Sequence, residues 1–99
     1  MAHILEYSNL TVNFDARCAC INERDLGLTK LEFSMLTYLV ERNNCAVSRN
    51  ELLRDIWELP CPIVTRATDD TIKRLRKKLK DHEAQFSIET VRGFGFIVK

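Results

Sequence analysis

Between Thr71 and Lys80 the chain carries six cationic side chains, Lys73, Arg74, Arg76, Lys77, Lys78 and Lys80, and no acid. Arginine offers a planar fork of donors that matches guanine edges and phosphates, and lysine offers a compact charge for phosphate oxygens, so this density suits contact with a polyanion. A basic helix face taken alone is more often plain solvated surface. A second candidate stands at Arg92, a long cationic side chain in the turn-like run Val91-Arg92-Gly93. An enzyme fails on inventory: there is no glycine-rich phosphate loop, no carboxylate pair set up for acid–base work, and no Ser or Cys nucleophile with a base. His3 and His82 are isolated, so no metal set and no cofactor is expected.

The elements around these cations must position them. His3 to Leu28 reads as four short strands: Ile4 to Tyr7, Leu10 to Phe14 with Leu10, Val12 and Phe14 alternating, Arg17 to Ile21, and Arg24 to Leu28 after an Asn22-Glu23 turn. Thr29 followed by Glu32 is a capping box, and Phe33, Leu36, Leu39 and Val40 continue at helical spacing, so a first helix runs from about Leu31 to Arg42. Asn43-Asn44 suits its left-handed end. Ser48 and Glu51 repeat the device for a shorter helix with Leu52, Leu53, Ile56 and Trp57 on one face. Pro60 and Pro62 make 58–65 a loop. A third helix runs from about Arg66 to Lys80. Thr68, Ile72, Leu75 and Leu79 form its core stripe, and at about 100° per residue Arg66, Asp70, Lys73, Arg74 and Lys77 fall on the opposite side. Phe86 to Thr90 and Phe94 to Val98 close the chain as a hairpin. The fold class is α+β: a sheet over 1–28, a three-helix core over 29–82 and a hairpin over 83–99, in one domain spanning 1–99.

Composition bounds the rest. Ninety-nine residues with 45% hydrophobic side chains make one modest core without staples. Fifteen Lys or Arg against fourteen Asp or Glu leave a net charge of +1, so any polyanion site must be local and not global. Charges interrupt every apolar run, which leaves nothing to span a bilayer and points to the cytoplasm. Cys18 and Cys20 share a strand face and cannot form a relaxed bridge; with Cys45 and Cys61 they read as reduced cysteines in a reducing compartment.

Four segments carry a family likeness. Leu28 to Phe33 (LTKLEF), Ser48 to Trp57 (SRNELLRDIW), Asp69 to Leu79 (DDTIKRLRKKL) and Ile88 to Phe96 (IETVRGFGF), in that order, resemble the winged helix-turn-helix DNA-binding effector domain of OmpR/PhoB-type response regulators. The resemblance implies a bacterial transcription regulator of a two-component system. The third helix would enter the major groove of double-stranded DNA with Arg66, Asp70, Thr71, Lys73, Arg74, Lys77 and Lys78, and the hairpin would be a wing contacting DNA through Thr90, Arg92 and Gly93. It further implies a second copy on a direct-repeat operator and a contact of loop 58–65 with RNA polymerase. Family members often carry valine and histidine in place of Asp70 and Thr71, and a basic residue in place of Ile97, so base preference should differ here.

Two other readings stand beside this one. A winged helix can serve as a protein-interaction module, which the near-neutral charge favours. Alternatively, the chain is a stand-alone or membrane-tethered regulator in which Cys18 and Cys20, with Cys45 or Cys61, sense redox state or metal. A receiver domain does not fit in the residues before the first helix.

Overall fold

Alternating apolar residues build the first layer of the protein, an antiparallel meander in the order β1-β2-β3-β4, with β1 at Ile4–Tyr7, β2 at Leu10–Asn13, β3 at Cys18–Ile21 and β4 at Arg24–Asp25. The computed structural model describes residues 3–58 and 66–99. Leu10, Val12, Ala19 and Ile21 point into the core, and Thr11, Asn13, Cys18 and Cys20 lie on the other face. Asn22 and Glu23 both have positive φ, 52° and 67°, the backbone of a two-residue hairpin turn that matches strand twist. The fourth strand is shorter than the sequence predicts. Asp25 Oδ1 accepts from the Gly27 N–H at 2.8 Å and Gly27 takes φ 66°, which bends the chain out of the sheet toward the first helix.

That helix, α1, spans Lys30–Glu41 and starts with the complete capping box: Thr29 Oγ1 accepts from the Glu32 N–H, and Glu32 Oε1 accepts from the Thr29 N–H. Met35, Leu36, Leu39 and Val40 face the core. The chain leaves α1 through Asn44 at φ 64°, a left-handed position that asparagine tolerates. A two-residue strand follows, β5 at Val47–Ser48, which the sequence does not announce because two residues carry no periodicity.

Ser48 is then the N-cap of α2, Arg49–Asp55. Its Oγ accepts from the Glu51 N–H, while the Glu51 carboxylate turns to α1, where the Tyr38 hydroxyl lies 2.7 Å from Glu51 Oε2 and 2.6 Å from Asp55 Oδ2. Ile56 and Trp57 sit just past the helix end and pack half-buried against the core. The expected loop with Pro60, Cys61 and Pro62 lies outside the described residues. α3 occupies Ala67–Asp81, and β6 at Ile88–Val91 and β7 at Gly95–Val98 form the terminal hairpin. β5 joins that hairpin to give the order β5-β7-β6.

One glycine makes the three-stranded sheet fit. Gly95 pairs with Ser48, and a Cβ there would overlap the Val47 carbonyl oxygen and lie 2.8 Å from Ser48 Cα. The turn itself is made by Gly93 at φ 73°, so the second glycine serves strand approach and not turn geometry. Gly95→Ala is therefore expected to force β5 away from β7 and cost about 3 kcal/mol. A urea-unfolding midpoint equal to that of the parent would show that the strands do not depend on this contact.

Candidate nucleic-acid interface

α3 stands with one face in the core, through Thr68, Ile72, Leu75 and Leu79, all buried. At about 100° per residue, Arg66, Asp70, Lys73, Arg74 and Lys77 project from the opposite side, and the structure leaves all five exposed. Among the described residues, none of the ion pairs or side-chain hydrogen bonds involves Lys73, Arg74 or Lys77. Three cations, with Arg66 at the helix start, thus line one free face with a single acid, Asp70.

The flanks of the helix behave differently. Lys78 and Thr71 lie about 70–90° to one side of the core stripe, and Arg76 and Asp69 lie about as far to the other. Thr71 is buried and its hydroxyl donates to the Ala67 carbonyl at 2.8 Å, so the structure turns this expected contact inward. Lys78 Nζ donates to Glu32 Oε1 at 2.6 Å and to the Gly27 carbonyl at 2.9 Å. Its ammonium is thereby bound to the protein's own interior and not offered outward. Both belong to the packing of α3.

Two residues that the sequence reading left out of the expected contacts hold the opposite flank. Arg76 Nε donates to the Ile88 carbonyl at 2.8 Å and its Nη2 to Thr90 Oγ1 at 2.8 Å, tying α3 to the hairpin. Arg49 Nε reaches Asp69 Oδ1 at 3.0 Å, its guanidinium lies over the Phe96 ring, and its N–H donates to the Phe94 carbonyl. The helical angle of Arg76, Lys78 and Thr71 was the available signal: each falls on a flank, not on the outward stripe. No local signal could name their partners.

At the hairpin tip Val91 accepts from the Phe94 N–H at 2.9 Å, closing a turn through Arg92 and Gly93. Arg92 is exposed, and Thr90 beside it is exposed as well. The hydroxyl of Thr90 accepts from Arg76 and keeps its own proton for an outside acceptor. The structure therefore groups two sets of expected contacts, the α3 stripe and the hairpin tip, and links them through Arg76.

Glu32 is the electrostatic centre of this support. Its side chain is 1% exposed. Burial alone would raise its carboxyl, but the hydrogen bond and charge of Lys78 and the bonds from Thr29 outweigh it and hold the group below the usual carboxylate range.

Comparison with known proteins places this geometry. The family model described as "Transcriptional regulatory protein, C terminal" matches residues 23–98. The response regulator ArlR of Staphylococcus epidermidis is 33% identical over 96 residues, covering 97% of this chain and 44% of that protein, so the chain spans less than half the length of the curated relatives it matches. The RstA DNA-binding domain of Klebsiella pneumoniae, solved in complex with the RstA box, superposes with a TM-score of 0.83 at 27% identity, over 95% of this chain and 94% of that one. The DNA-binding domain of CpxR from E. coli gives 0.81 at 31% identity, over 96% and 94%. The fold is a winged helix, with α2 and α3 as the helix-turn-helix pair and β6–β7 as the wing. Among the described residues, no helix is long and apolar enough to cross a membrane.

Lys78→Met keeps the aliphatic stem and strands a buried carboxylate, so it is expected to lower stability by about 3 kcal/mol at neutral pH. Because the folded Glu32 pKa lies below its unfolded value, the pair's stabilisation is fully present above the ordinary glutamate range and is lost as pH falls through the lowered value. The deficit of the variant should shrink correspondingly in acid. Equal urea midpoints for parent and variant at pH 7 would show instead that Lys78 is a free surface cation.

Proposed function

The chain belongs to the family of transcriptional regulatory protein C-terminal domains, and from that membership we propose that it is the effector domain of a bacterial two-component response regulator, binding double-stranded DNA sequence-specifically in the cytoplasm to control transcription. The observation that carries this reading is the free cationic face of α3: Lys73, Arg74 and Lys77 are exposed and uncommitted, while the neighbouring Arg76 and Lys78 are used to hold the helix in place. A helix docks in the major groove when one face is fixed to its domain and the other offers donors. That RstA was solved on its own DNA box, within the same fold, supports the same use here.

The assigned roles follow from chemistry. Arg74 donates two bonds to a guanine edge, Lys73 and Lys77 neutralise phosphates, Arg66 meets the backbone at the helix start, and Asp70 accepts from a cytosine amino group. Arg92 enters the adjacent minor groove, with the Gly93 amide and the Thr90 hydroxyl on phosphate oxygens. Thr71 and Lys78 are weaker contacts in this reading, since the Thr71 hydroxyl donates to the Ala67 carbonyl and two of the three Lys78 N–H donors are used inside the protein. Two copies bind a direct repeat, and the segment 58–65 meets RNA polymerase; both assignments rest on the family. This reading calls for no cofactor and no bond made or broken, and the relatives are regulators and not enzymes.

Selection from a randomised duplex pool at two salt concentrations tests the reading. Enriched half-sites about one helical turn apart, with affinity falling steeply in salt, are expected from the release of phosphate counterions. Arg74→Ala should cost about 1–3 kcal/mol and relax the choice of one base, whereas Lys77→Ala should weaken all sequences evenly and reduce the salt slope by about 1. Weak, salt-insensitive retention without enrichment would favour a protein-interaction module.

A further inference from the structure

The outer face of the four-stranded sheet holds a pair of thiols that DNA binding does not use. β3 alternates half-buried and buried residues, so Cys18 and Cys20 lie on the outer face while Ala19 and Ile21 fill the core. Strand register fixes their neighbours: Asn13 stands opposite Cys18, and Thr11 and Asp25 stand opposite Cys20 on the two flanking strands. Glu6 lies across from Thr11 on the same face. Both thiols are free.

We propose that Cys18 and Cys20 form a two-thiolate site for a soft, two-coordinate monovalent metal cation of the Cu(I) type. Length decides between this and a disulfide. Residues two apart on a strand are about 6.7 Å apart, and their Cβ atoms run nearly parallel at about that spacing. A disulfide requires Cβ atoms about 3.8 Å apart. β3 is paired with β2 over its whole length and with β4 at Cys20 and Ile21, and closing that gap would break this pairing. One metal atom between the sulfurs removes the conflict, because two metal–sulfur bonds of about 2.3 Å set end to end span about 4.6 Å, and inward tilt of the two Cβ–Sγ bonds covers the remainder.

Ligand number and softness fix the class of ion. Among the described residues no group of three His, Cys, Asp or Glu side chains could hold a metal, so a tetrahedral ion finds too few donors. Thiolate pairs select soft ions. Burial, then the adjacent Cys18 and Asp25, push the Cys20 thiol up, so a metal must displace its proton to bind. Binding then converts two thiols and one monovalent cation into a bis-thiolate complex of charge −1 and two released protons, and affinity rises with pH. Because the complex is anionic, Asp25 opposes it, and Asp25→Asn should tighten binding at pH 7.

The test is an anaerobic titration of the purified protein with Cu(I) presented by a chromophoric competing chelator. One ion per chain is expected, with Cys18→Ser and Cys20→Ser each weakening binding by roughly tenfold or more, and Cys45→Ser and Cys61→Ser leaving it unchanged. In the unaltered protein, bound Cu(I) should shield Cys18 and Cys20 from alkylation, read by peptide mass, which needs no variant to fold. Binding that survives Cys20→Ser, tracks Cys45 or Cys61, weakens in Asp25→Asn, or joins two chains through one ion would overturn the proposal.

Discussion

The surface that α3 presents is referred to one buried carboxylate. Glu32 Oε1 accepts both the Thr29 N–H that starts α1 and the Lys78 ammonium of α3, and the same ammonium reaches back to the Gly27 carbonyl where the sheet hands over to α1. Sheet, first helix and recognition helix thus meet within one set of hydrogen bonds. Burying a carboxylate costs several kcal/mol unless it is well paired, and here Oε2 has no hydrogen-bond partner among the described residues. An apolar contact between α1 and α3 would tolerate sliding. A charge that must meet one nitrogen at one place along α3 sets the height of that helix against α1, so the cluster contributes position as much as stability.

The other flank fixes rotation. Arg76 binds the wing strand and Asp69 binds Arg49 at the head of α2, so α3 is held from the side opposite Lys78 by two further elements. Arg49 in turn packs on Phe96 of β7, the strand whose Gly95 admits β5. With both flanks tied and one face buried, a single angular sector of α3 remains for an outside partner. Cation density and cation availability are therefore different quantities. Of the six cations between Thr71 and Lys80, Arg76 and Lys78 are structural, and the exposed stripe is narrower than the sequence suggests.

What was legible in the sequence was local. The Thr29–Glu32 box, the left-handed Asn44, the Asn22-Glu23 turn and the apolar stripe of α3 all act within a few residues, so type and spacing suffice to read them. The failures share a cause: β5 is two residues long and exists only because β7 lies beside it. β4 ends early through the Asp25–Gly27 bond, and Glu51 gives half of its capping role to Tyr38. Lys78 carries the same charge as Lys77 one position earlier; its helical angle puts it on a flank, but its partner Glu32 lies 46 residues away, beyond any local signal.

Asp70 shows how the fold reconciles stability of the free helix with choice of partner. The N-cap of α3 is Arg66, which makes no side-chain cap bond and places a cation at the positive end of the helix dipole. Asp69 and Asp70 in the first turn offset this. Arg49 neutralises Asp69, leaving Asp70 as the one exposed acid on the cationic stripe. In the free protein that charge favours the helix. Against a polyanion it is repelled unless a donor stands opposite, so it penalises every register that lacks one. A side chain retained for helix stability thereby acts against wrong partners, which is how discrimination arises from an unfavourable contact as well as from favourable ones.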